Sequence, residues 1–235
     1  MKYLPFVLTI FLLTACDPKD IEKVLGGTGV GLSNADIAAG LKQALDQGVD
    51  QSVKTLSATD GFYKSAYKIL LPDEARKVID KLKFVPGFSN LEEEVVRRIN
   101  RGAEDAASKA GPIFLTAIKD MTFDDVMNIL MGDKNAATQY LHRKTYNALY
   151  GEFKPVIINS LNIFGALEYW ADAVKTYNSL PFVERINPDL ADHVTSRALV
   201  GMFDLIEKKE LGIRTDISQR TTDLLRRVFA RQDVK

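Results

Sequence analysis

The stretch Asp120–Tyr150, DMTFDDVMNILMGDKNAATQYLHRKTYNALY, decides the fold. It reads as two helices broken at one glycine. Thr122 is placed to cap the first, and Asp125 three residues later completes a capping box. Gly132 is the expected stop, since a residue without Cβ enters the left-handed region at no steric cost. Asp133 is then expected to cap a second helix. Ala136, Ala137 and Ala148 would give that helix a small face, while Tyr140, Leu141 and Leu149 supply bulk.

The same punctuation recurs on both sides. Ser33 with Asp36 opens a long amphipathic helix whose apolar stripe is Ile37, Leu41, Leu45, Val49, Val53 and Leu56. A break at Thr59-Asp60-Gly61 leads to a short helix at Asp73–Lys83 with Pro72 at its start. Ser89 with Glu92 is expected to open a helix carrying Leu91, Val95, Ile99, Ala103 and Ala106, which Gly111-Pro112 ends or kinks. Beyond Gly151, Pro155 is expected to start a new helix, and Gly165 to separate it from one carrying Trp170. Asn187-Pro188 should then open a long helix stopping near Gly212, and a last helix should run from about Asp216 to Ala230. No stretch alternates with period two between turn pairs. The expected fold is therefore all-α, a compact irregular bundle of about eight or nine helices in a single domain, 33–235.

The first residues have another purpose. Lys2 and the start amine precede an apolar run, Tyr3–Leu13, and Leu13-Thr14-Ala15-Cys16 follows. This run is shorter than the roughly 20 residues of a membrane-spanning helix. The tetrad resembles the bacterial lipobox, which implies removal of residues 1–15 as a signal peptide and lipidation of Cys16. Asp17 resembles the inner-membrane retention signal, but Pro18 departs from it, so both membranes stay open. Residues 16–32 carry four glycines between Gly26 and Gly31 and read as a flexible tether. Fully extended, it would reach on the order of 50 Å. The expectation is a periplasm-facing, membrane-anchored envelope protein.

Composition narrows the chemistry. With 46% hydrophobic and 26% charged residues the chain is ordinary globular material rather than disordered. Lys+Arg and Asp+Glu are both 31, which argues against a nucleic-acid partner. Cys16 is the single cysteine and His142 and His193 are the only histidines, so neither a disulfide nor a His- or Cys-rich metal site is expected. Asp124, Asp125 and Asp133 lack the alternating oxygen ligands of a calcium hand. No cofactor motif is present.

Several short signatures occur in one order. They are Gly61-Phe62, Ile69-x-Leu71-Pro72 and Asn100-Arg101-x-Ala103-Glu104, then Ile129-Leu130-x-Gly132-Asp133-x-x-Ala136-Ala137-Thr138-x-Tyr140. Val194-Thr195-x-x-Ala198-Leu199-x-Gly201-Met202-Phe203, Glu210-x-x-Ile213-Arg214 and Val228-Phe229 follow. As a set they resemble the bacterial envelope family known as domain of unknown function 4197, over roughly Ser33 to Ala230. The resemblance implies an exported helical domain, often a lipoprotein, and brings no activity or ligand. The chain departs from it at Leu141, His193 and Ile217, changes expected to touch surface or groove chemistry rather than the fold.

Asn100 and Glu104 share a helix face and could line a groove floor, or bond another helix through a partner such as Arg214. Glu210 and Arg214 could form an ion pair locking the last helix. Asp133, Thr138 and Tyr140 could present polar groups to a cleft. The first functional expectation is a non-enzymatic binding or scaffolding module for an envelope protein or an amphipathic ligand. The alternative is a hydrolase or lyase of an envelope polymer with Glu104 as general acid or base, which requires Glu104 in an open cleft.

Overall fold

The computed structural model describes residues 32–86, 89–163, 166–185, 190–230 and 233. The expected signal peptide, Cys16 and the expected tether up to residue 31 lie outside them, as do Gly165, Asn187 and Pro188. Among the described residues there are nine α-helices, one 3-10 turn and no strand. The helices are α1 (Asn34–Ser57), α2 (Asp73–Leu82), α3 (Leu91–Ala107), α4 (Ala110–Lys119) and α5 (Phe123–Leu130). They continue with α6 (Ala136–Ile163), α7 (Ala166–Asn178), α8 (Leu190–Thr215) and α9 (Asp223–Phe229), with the 3-10 turn Ile217–Gln219 before the last.

The long helices form the frame. α6 lies along α8 and α3, and α1 packs on α8, α4 and α9. α3 gets close to α6 because Ala103 and Ala106 are fully buried on it and Gly102 sits against Ser160 and Leu161. Phe62, Phe114, Phe153, Leu141, Leu161 and Met202 fill the space between, and burying each such side chain contributes about 1.5–3 kcal/mol. No described helix is long and apolar enough to cross a membrane.

Two expected starts have the expected chemistry. Asp36 N donates to Ser33 Oγ at 3.1 Å while Ser33 N donates to Asp36 Oδ2 at 3.0 Å, and Thr122 with Asp125 repeats the arrangement.

Other boundaries differ, each for a local reason. The chain after Leu130 turns without a left-handed glycine. Gly132 is required instead by crowding, because a Cβ there would lie 2.6 Å from the Asn128 carbonyl oxygen. Left-handed backbone occurs instead at Asp60, φ 68°, in the turn after α1, and at Phe182, φ 61°. Asp133 is exposed and does not cap α6; that end is capped from α8, as described below. Ala148 is exposed, so the close-packing small face belongs to α3 rather than α6. Pro72 is the N-cap of α2 rather than a residue of its first turn, and α3 starts at Leu91 without a side-chain cap. Gly111-Pro112 lies within the first turn of α4, where a missing N–H costs little.

Pro155 does not start a helix but sits inside the 28-residue α6. Gly151 and Pro155 are both on the exposed side, where water can satisfy the carbonyl that proline leaves unpaired. α8 continues through Gly212 to Thr215, and the final segment splits. Asp216 caps the 3-10 turn and Thr222 caps α9.

Candidate functional site

The signature residues form two interlocks. In the first, α3 holds the segment between α1 and α2. Asn100, 0% exposed, accepts from Ile69 N at 2.8 Å and donates to the Ile69 carbonyl at 2.9 Å and to Val96 O at 2.7 Å. Glu104 Oε1 accepts from Phe62 N and Tyr63 N, at 3.2 and 3.1 Å. Glu104 Oε2 takes Arg101 at 2.6 Å, and Arg101 reaches Asp60 at 2.6 Å. Lys64, then Arg101, hold the Asp60 carboxyl below its ordinary value. Glu104 is 5% exposed and both its oxygens are occupied by its own chain. That arrangement fixes backbone and leaves no free oxygen for proton transfer to a ligand.

In the second interlock, Glu210 on α8 accepts from the first amides of α6, Ala137 N at 2.9 Å and Thr138 N at 2.8 Å, and from Thr138 Oγ1 at 2.8 Å. A carboxylate at a helix N-terminus is favourable for both the orphan donors and the helix dipole. Arg214 donates to Glu210 at 2.9 Å and to the closing carbonyls of α5, Ile129 O at 2.8 Å and Leu130 O at 3.4 Å. One buried ion pair therefore joins the end of α5, the start of α6 and α8, rather than locking the last helix.

The last segment is held by a residue that no sequence signal indicates. Arg220, 1% exposed, donates to Ile213 O, Arg214 O and the Asp233 carboxylate. Asn100 and Glu104 make none of their hydrogen bonds to Arg214, and the two interlocks use separate partners. Tyr140 is buried, with its hydroxyl 3.5 Å from Asp125, and burial raises its pKa first of all.

Open space lies elsewhere, on both flanks of the exposed face of α8. Along one flank, segment 66–73 and α8 enclose a groove of about 710 Å³. Its walls carry Lys68 and Arg76 on one side and His193, Arg197 and Lys208 on the other. Tyr67 closes it with Lys208, whose Nζ lies 3.2 Å from the phenol oxygen and 2.7 Å from Asp204. Burial raises the Tyr67 pKa, and the Lys208 hydrogen bond lowers that of Asp204. His193 Nε2 is 2.8 Å from Leu70 O, which ties α8 to the segment.

Along the other flank, α6 and α8 enclose about 440 Å³. His142 lies 4.9 Å from Tyr146 and 4.7 Å from Phe203 between ring centroids, and Thr138 is also in the wall. Val200, 58% exposed, and Asp204 belong to both spaces.

Thr138, expected to face a cleft, is in the wall of the second space but is buried, with its hydroxyl donating to Glu210. Apart from His193, the α8 residues of the groove were not expected from the sequence. The available signal was the run His193, Arg197, Val200, Asp204 and Lys208 at three- and four-residue spacing, one stripe of α8. Of the departures from the resemblance, His193 is in the groove, Ile217 is exposed and Leu141 is wholly core. Among the described residues no cluster of His, Cys, Asp and Glu could hold a metal ion. Residues 31–230 match the model of a family described as "Protein of unknown function (DUF4197)". No curated protein and no solved structure matches the chain.

Proposed function

We propose that this chain, which belongs to the DUF4197 family, is a lipid-anchored envelope module that binds an amphipathic ligand or partner in the double groove astride α8. The observation that carries the reading is that the two spaces adjoin on α8 and share Val200 and Asp204 in their linings. One side is rich in cations and the other in aromatic rings. Ligand sites combine apolar lining with a few convergent polar groups, and the two spaces together supply both. Asn100 and Glu104 support it from behind, because they fix the segment that forms one wall. The anchor rests on Leu13-Thr14-Ala15-Cys16, and on the tether between Cys16 and the helices.

Native mass spectrometry of the full chain, extracted gently from its own envelope, tests both parts. A bound species is expected, and Val200→Trp, which fills the shared ridge, should lose it while helicity is unchanged. A bare chain in both samples refutes the groove reading. Cys16→Ser should remove the mass of the acyl groups; an unchanged mass refutes the anchor.

A further inference from the structure

We infer that the cationic side of this groove is a receptor for a phosphate ester, an inference that rests on the binding role proposed above. The whole chain is electrically balanced, yet the groove wall is not: among the described residues Lys68, Arg76, Arg197 and Lys208 face two carboxylates, Asp73 and Asp204. Lys208 is neutralised by Asp204 at 2.7 Å, and Arg76 approaches Asp73 at 3.9 Å. Lys68 and Arg197 remain. Lys68 lies over the face of Tyr63 at 4.6 Å, a contact that keeps its charge, and no carboxylate pairs with Arg197 among the described residues. Two opposing walls thus each present a cation without a counter-ion to one solvent-filled space.

An oxyanion is the ligand such a space favours, because charge-assisted hydrogen bonds to it are the strong ones and the arginine fork fits it in two contacts. A planar carboxylate has two oxygens in one direction and suits a single fork. A tetrahedral phosphate has oxygens in several directions and can meet Arg197 on α8 and Lys68 on segment 66–73 together. The apolar surface beside it, Leu70 and Val200 and then the His142–Tyr146–Phe203 rings, suits the rest of an ester rather than bare inorganic phosphate. A phospholipid head group and a soluble phosphate ester share this chemistry.

Isothermal titration of the full chain in a neutral detergent separates the sources. The probes are pyrophosphate, dihexanoylphosphatidylglycerol and succinate. The proteins are the natural sequence, Lys68→Ala/Arg197→Ala, and Arg226→Ala as a control outside the groove. Both phosphate probes should bind. The double variant should weaken them roughly tenfold or more, as loss of charge-assisted bonds implies, and the control should not. Tighter binding of the lipid than of pyrophosphate assigns the site to a head group with its chains over the aromatic side; equal binding assigns it to a soluble phosphate. Absence of phosphate binding, succinate binding as tight as pyrophosphate, or affinities untouched by the double variant would overturn the inference. A species that still co-purifies from the envelope in that event leaves the binding role standing and removes only the phosphate.

Discussion

Removing the carboxylate of Glu210 should be among the most damaging single changes available to this fold. Glu210→Leu strands the Arg214 guanidinium, 5% exposed, among the carbonyls of α5. Breaking a buried pair in this way costs about 3–5 kcal/mol. The amides of Ala137 and Thr138 lose their cap at the same time, for about 1 kcal/mol more. The sum, roughly 4–6 kcal/mol, is a large share of the 5–15 kcal/mol typical of a whole domain. At about 2–4 °C per kcal/mol for a chain of this size, the melting midpoint should fall by roughly 10–20 °C.

Arg214→Leu should be costly for the mirror reason. The double variant should be more stable than Glu210→Leu alone, because no charge is then stranded. A coupling of at least about 2 kcal/mol is expected from the cycle. Urea denaturation followed by circular dichroism, with unchanged m, measures all three. A Glu210→Leu cost below about 1 kcal/mol, or additive single effects, would refute the buried cap.

Three other outcomes are expected. Gly40→Ala puts a methyl 2.5 Å from Val228 Cγ2 and should destabilise the α1–α9 contact by about 1–3 kcal/mol; Val228→Ala in the same chain should recover part of this, and no recovery would locate the strain elsewhere. Asn100→Ala leaves the buried N–H and carbonyl of Ile69 without partners, for about 2–3 kcal/mol, and hydrogen exchange at the Ile69 amide should accelerate; an unchanged rate contradicts the interlock. Asp60, Asp125 and Asp233 all titrate below their ordinary 3.8 in the fold, held down first by Lys64, by the Thr122 backbone and by Arg220 respectively. Below that value the unfolded chain binds more protons than the folded one. Stability present above pH 3.8 should therefore be lost as pH falls through the lower folded values, and Asp60→Asn/Asp125→Asn should flatten that acid limb; an unaltered limb argues against these carboxylates as its source.

The helical class, the capping boxes at Ser33 and Thr122 and the apolar stripe of α1 were legible in the sequence, because each depends on residues within one or two turns. A Ser or Thr finds its backbone donor three residues away whatever the rest of the chain does. Proline and glycine were poorer guides. Pro155 and Gly212 are tolerated within helices because a water-accessible face or a neighbouring turn accommodates them, and neither condition is written locally.

Tertiary structure decided what the signature residues are for and where the open space lies. Glu210 caps a helix through amides 72 and 73 residues earlier, and Glu104 holds amides 41 and 42 residues away. Their side chains find these donors only when the helices are packed. The stripe from His193 to Lys208 reads alone as an ordinary solvated face. It becomes one wall of a cationic groove because Asn100 pins segment 66–73 opposite it, a juxtaposition set by burial and hydrogen bonding across the fold.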